Sequence, residues 1–175
     1  MNEIEFFQKK SKEASLGGDS GWKEGEYTAI VTGMSYGVRM LGKKEAPTAV
    51  RGIWCDVIVD EARGADPSKE GYRGHILIQT EGQNAHISQK EYAYLCMALT
   101  GLPQAEAIDR VSPWCSDATQ PARGLKLKFK TRGHENKKGK TRFYPGFYQQ
   151  VAQTSDEVRA NRAALDRLDA EAAKK

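Results

Sequence analysis

Arg123–Tyr148, RGLKLKFKTRGHENKKGKTRFYPGFY, holds the pattern from which the fold is read. Leu125, Leu127, Phe129 and Thr131 alternate with Lys126, Lys128, Lys130 and Arg132. On a pleated strand that two-residue period makes one apolar face and one cationic face. Gly133–Gly139 follows as a glycine-bracketed polar run, read as an open hairpin loop, and the chain returns through Lys140, Thr141, Arg142, Phe143 and Tyr144. The expectation is a basic β-ribbon with aromatic residues on its return limb. The segment has nine Lys or Arg and one Glu, a net +8 in a chain whose total is +4, so the remainder carries −4. One reading of this segregation is a lysine-rich edge guarded against strand-to-strand aggregation. The sharper one is a polyanion-binding surface, with cations on phosphates and rings under bases.

At 175 residues the chain can bury one substantial core. The division expected is an arm and linker over 1–21, a domain over 22–151 and a C-terminal helix over 152–175. With 39% hydrophobic and 29% charged residues the composition is that of a globular protein, neither collagen-like nor wholly disordered. Glu3 and Glu5 stand where a signal peptide carries bases, and no apolar run approaches the roughly 18 residues of a membrane helix, so a cytoplasmic protein without membrane insertion is expected. Cys55, Cys96 and Cys115 lack any Cys-x-x-Cys pair and read as reduced packing residues.

Outward from the ribbon, Glu26–Tyr36, Arg51–Glu61 and Tyr72–Thr80 read as strands, with Gly33 a candidate bulge and Gly37–Ala49 a long loop carrying Arg39, Lys43 and Lys44. In the second strand Ile53, Cys55, Val57 and Val59 share one face, and Trp54, Asp56, Ile58 and Asp60 the other. Ser88–Thr100 reads as an amphipathic helix, with Ser88 and Glu91 as a capping box and Gly101 and Pro103 as its stop. Leu102–Ala122 reads as an irregular crossing with a short helical turn near Ala105–Arg110. Ser155 caps a last helix whose thin apolar stripe either packs weakly on the domain or pairs with a second copy as a homodimer.

Three strands, a helix and two strands is the element order of the OB-fold, so the fold expected is mainly β: a five-stranded OB-fold-like barrel with a helix between strands three and four and a further helix at the C-terminus. In such a barrel the ligand lies on strands two and three, between the loops joining strands one to two and four to five. Both loops are basic here. The nucleic-acid-binding set expected is therefore Arg39, Lys43, Lys44, Lys126, Lys128, Lys130, Arg132, Lys137, Lys138, Lys140 and Arg142 on phosphates, with Trp54, Tyr144 and Tyr148 as stacking surfaces. Phe143 and Phe147 share the opposite parity from Tyr144 and Tyr148 and are assigned to the core, with Pro145 a candidate bulge.

Residues 25–151 open Gly25-Glu26-Tyr27-Thr28-Ala29, contain Gly71-Tyr72-Arg73-Gly74-His75 and Glu91-Tyr92-Ala93-Tyr94-Leu95-Cys96, and close Tyr144-Pro145-Gly146-Phe147-Tyr148. In these segments the chain resembles phage-encoded OB-type single-stranded DNA-binding proteins. The resemblance implies largely sequence-independent coating of single-stranded DNA in phage replication, recombination or repair, in the host cytoplasm and beside other replication or recombination proteins. Many such proteins end in a strongly acidic tail; here Asp166, Asp169 and Glu171 are interspersed with alanines, and the sequence closes Ala173-Lys174-Lys175.

An enzyme is not expected. No Gly-x-x-x-x-Gly-Lys-Ser/Thr or Gly-x-Gly-x-x-Gly occurs, His75, His86 and His134 lack ligand spacing, and neither cofactor nor metal is implied. Duplex DNA and RNA stay open as ligands. The alternative reading is a phage accessory protein that binds and modulates a host protein.

Overall fold

The computed structural model describes residues 21–42, 44–81 and 85–174; residues 1–20 of the expected arm, and Lys43, lie outside them. Among the described residues five antiparallel strands form one sheet in the order β3-β2-β1-β4-β5, accompanied by three helices. β1 (Glu26–Leu41) and β2 (Thr48–Arg63) make a hairpin much longer than expected, because pairing runs on to Leu41 opposite Thr48. β-Branched residues at Val38, Thr48 and Val50 favour this extension, and Pro47, with no N–H to give, precedes the first residue of β2. Arg39 consequently sits in a strand and not in a loop.

β1 pairs with β4 (Lys126–Glu135) over Glu26–Ile30, whereas β2 pairs with β3 (Arg73–Gln79) over Gly52–Ile58, further along the hairpin. Between the two stretches β1 has register shifts at Thr28/Ala29 and Val31/Gly33. Such bulges bend and twist a strand, so one strand can serve two differently placed neighbours. β5 (Thr141–Gln150) and β3 are the edges. Helix α1 (Ala85–Thr100) packs against both, and no strand pairing joins them. The sheet is open, not the closed barrel expected. α1 begins at Ala85, which puts Ser88 inside the helix and not at its cap. α2 (Gln104–Val111) and a 3-10 turn (Ser112–Ser116) give the crossing its expected helical piece. No helix among the described residues is long and apolar enough to cross a membrane.

The inward side chains of the sheet alternate as the pattern predicted: Cys55, Val57 and Val59 on β2, Leu127 and Phe129 on β4, all at most 3% exposed. Trp22 extends this core beyond the strands. Its ring meets Tyr27, Tyr72 and Phe129 edge-on at 5.1–5.2 Å, and its indole N–H donates to the His75 carbonyl at 3.1 Å. Gly74 makes room for it, since a Cβ there would stand 2.5 Å from the indole.

α3 (Ser155–Ala173) is capped by Thr154, one residue before the expected Ser155, in a reciprocal box with Glu157. Its thin apolar stripe is supplemented by polar anchors. Arg162 donates to the carbonyls of Gln120, Pro121 and Arg123, Asn161 donates to Gly124 O, and Arg123 donates to Asp166 and Asp169. Burial would raise the Asp169 pKa, but Arg123 and Arg73 outweigh it and hold the carboxyl below its usual value. These bonds tie the helix to its own domain.

Trp22→Ala should remove about 3–5 kcal/mol of stability, the range for emptying a buried aromatic site. The urea midpoint of the variant measures it; a loss under about 1 kcal/mol would show that Trp22 is peripheral to the core.

Candidate functional site

Register decides which cations are free. Glu26 is the cross-strand neighbour of Lys130, and its Oε1 lies 2.9 Å from Lys130 Nζ. The hydrogen bond from Lys130, followed by its charge, holds the Glu26 carboxyl below its ordinary pKa. Lys126 pairs with Asp60 at 3.0 Å, and Arg132 with Glu91 of α1 at 3.6 Å. Arg39 donates to both oxygens of Asp56, at 2.6 and 2.8 Å, and to Ser35 Oγ. Four of the expected phosphate contacts are thus already paired with carboxylates. Lys130–Glu26, exposed on both sides, contributes at most about 1 kcal/mol, whereas Arg39–Asp56 and Lys126–Asp60 are half-buried.

Lys128, Lys137 and Lys138 are exposed and have no ion-paired carboxylate among the described residues. Exposed Lys140 and Arg142 follow on the return limb, and Lys44 stands exposed in the β1–β2 turn. The expected open loop Gly133–Gly139 is a tight turn. Glu135 still pairs with Thr141, the Asn136 side chain accepts from the N–H groups of Lys138 and Lys140, and Gly139 takes φ +76°. Gly139 suits that left-handed position because it has no Cβ.

The two basic turns do not share an end of the sheet. β4 runs antiparallel to β1 with Lys130 beside Glu26, so the β4–β5 turn leaves beyond the start of β1. The turn bearing Lys44 lies at the far end of that sixteen-residue strand.

Two of the three expected stacking residues are enclosed. Trp54 is 0% exposed. Its indole N–H donates to Gly37 O at 2.9 Å, the Arg39 guanidinium lies 4.7 Å over its ring, and His75 meets it edge-on at 5.1 Å. Trp54 therefore faces outward from the core but under a cover of its neighbours, and offers no open ring. Tyr148 packs against the core with its hydroxyl donating to Pro145 O, and burial raises its phenol pKa. Tyr144 is 46% exposed, as expected.

Phe147, assigned to the core from parity, is 56% exposed. The reason is a bulge: Lys128 faces Gln149 while Lys130 faces Gly146, so Phe147 and Tyr148 together oppose the single Phe129. Phe147 takes φ +51°, and from there the alternation is reversed. The Pro145-Gly146 pair was the only local signal for this. Arg132 stacks on the Phe147 ring at 3.8 Å from its centroid, and Gly146 permits the approach, since a Cβ there would stand 3.0 Å from Arg132 Nε.

The outward side of β2 and β3, where an OB-fold ligand was expected, is partly covered. Asp169 accepts from both Arg123, beside β1, and Arg73, on the outward side of β3, so that end of α3 crosses the sheet at the level of Ile58, the register partner of Arg73. Leu165 of α3 is 1% exposed, yet lies outside the main core. The outward side of β1 and β4 stays open. Two cross-strand rows lie there: Arg63, Glu26 and Lys130, then Glu61, Thr28, Lys128 and Gln149.

Cys55 and Cys96 are buried and Cys115 half-buried, all free of disulfides; burial pushes the Cys96 thiol up to about 11. Among the described residues no three His, Cys, Asp or Glu side chains are grouped to hold a metal ion. Comparison of the chain with protein-family models, curated proteins and solved structures finds no significant match in any of the three.

Burial lowers the His75 pKa, Asp56 pulls it upward and Arg39 adds to the lowering. The unfolded chain, with His near 6.5, then takes the proton first as pH falls. Stability should decline as pH drops through about 6.5 toward the folded value, and His75→Gln should flatten that decline. Urea midpoints for both proteins between about pH 7.5 and 5 check it; parallel curves would refute it.

Proposed function

We propose that this chain binds single-stranded DNA, largely without regard to sequence, along the β4–β5 ribbon and the open outward side of β1 and β4. The observation that carries the reading is the interleaving, on one ribbon, of exposed Lys128, Lys130, Arg132, Lys137 and Lys138 with the exposed rings of Tyr144 and Phe147. Cations alone would suit any polyanion. Open ring faces suit unstacked bases, which a duplex does not present.

The strand order β3-β2-β1-β4-β5 also supports the reading, because these are the strand neighbours of an OB-fold whose β3–β5 seam is unjoined. Binding begins with electrostatic capture by the turn lysines and proceeds as phosphates replace Glu26 and Glu91 on Lys130 and Arg132. Bases then stack on the exposed rings, and no covalent bond changes. Coating of single strands in phage replication, recombination or repair is the role that the sequence resemblance adds.

Labelled oligo-dT titrated at several salt concentrations tests this. The slope of log affinity against log salt should fall by about 3 units in the K128A/K130A/K137A/K138A protein, at roughly 0.7 per phosphate contact. Lys126→Ala, which removes a cation already held by Asp60, should change it by less than about one. Glu26→Gln should tighten binding several-fold by releasing Lys130. Absence of oligo-dT binding, with stoichiometric retention of one host protein from lysate, would establish the accessory-protein reading instead.

A further inference from the structure

We infer that the depression beside Phe147 is a single-nucleotide subsite in which one base stacks on the free face of the Phe147 ring. The inference rests on the single-strand reading and adds to it a residue and an orientation. The depression measures about 140 Å³ and is lined by Lys128, Lys130, Arg63, Glu26, Phe147 and Gln149, among others. That is far smaller than the roughly 300–1,000 Å³ of drug-sized sites, and it suits one planar ring system.

Three observations converge on Phe147. It is the more exposed of the two ribbon aromatics that face outward, at 56% against 46% for Tyr144. Its backbone lies at φ +51°, a left-handed conformation that a bulky side chain adopts only under constraint. Such strain persists only where the surrounding structure over-determines it, and here the strained residue carries an exposed ring. Finally, Arg132 stacks on the ring at 3.8 Å from its centroid, and Phe147 lines the depression whereas Arg132 is not among its lining residues. The guanidinium holds the ring in place as a platform.

The walls set the orientation. Lys128 and Lys130 on β4 form a basic wall, whereas the β1–β2 side is mixed, with Glu26 paired to Lys130 and with Glu61 and Arg63 on β2. A phosphate is drawn to Lys128 and Lys130, so the backbone runs along β4 with the base turned over Phe147. The Gln149 amide, which can both donate and accept, stands where it can meet any base edge. That is consistent with recognition indifferent to sequence.

The test uses the full chain with Phe147→Ala and Phe147→Gly, read by oligo-dT affinity, salt slope and melting temperature. Both variants should bind about ten- to a hundred-fold more weakly, the loss typical of one stacked base, with the salt slope unchanged because no charge is removed. Phe147→Gly relieves the left-handed strain and should melt no lower than the wild type. Phe147→Trp should restore binding and report it through quenching of the new indole by oligo-dT. Wild-type affinity in both truncated variants would overturn the subsite while leaving the single-strand reading intact. Absence of oligo-dT binding by the wild type would overturn both.

Discussion

Strand β1 has to satisfy two neighbours that cannot both lie flat beside it. Along Glu26–Ile30 its outer edge is taken by β4, and beyond Val31 it runs on with β2 alone while β3 joins from the other side. The register shifts at Thr28/Ala29 and Val31/Gly33 reconcile the two demands by turning the strand between them. Most of the architecture follows from that turn. The staggered placement of β3 and β4 leaves two distant edges, α1 stands against both, and the loop Gln120–Gly124 closes on the unpaired edge of β1. There the Gln120 side chain accepts from the Met34 N–H, and the Val31 carbonyl accepts from Gly124.

The same geometry redistributes charge. In the sequence the basic ribbon and the acidic remainder are separate blocks. In the folded chain antiparallel register interleaves them, setting Glu26 against Lys130 and Asp60 against Lys126, while Asp56 takes Arg39. The ribbon field is therefore weaker over its paired half than over its turn, where Lys137 and Lys138 stand without carboxylate partners among the described residues. Cations held in this way are kept oriented by their carboxylate partners.

Enclosure of the outward side of β2 and β3 has two separate causes. Arg39, fixed by Asp56, lies over Trp54, and α3, fixed by Arg123 and Arg73 through its own aspartates, crosses the sheet near Ile58. Neither contact is visible locally in the sequence, since both join residues from distant elements. They leave the open surface on the side of β4 and β5, where Phe147 is exposed while Trp54 is covered.

Alternation, β-branched and aromatic content and helical spacing in the sequence pointed to the five strands, to the inward residues Cys55, Val57, Val59, Leu127 and Phe129, and to the helix between β3 and β4. Period-two and period-3.6 patterns report burial directly, because each side chain's face is set by its own backbone. Closure, partner choice and exposure at the bulge were decided only by the tertiary structure. Whether β3 meets β5, whether Lys130 is free, and whether Phe147 or Tyr148 turns outward all depend on how distant strands register against one another. A shift of one residue at Gly146–Phe147 exchanges the faces of everything after it, and no local preference in the chain records which way that exchange will go.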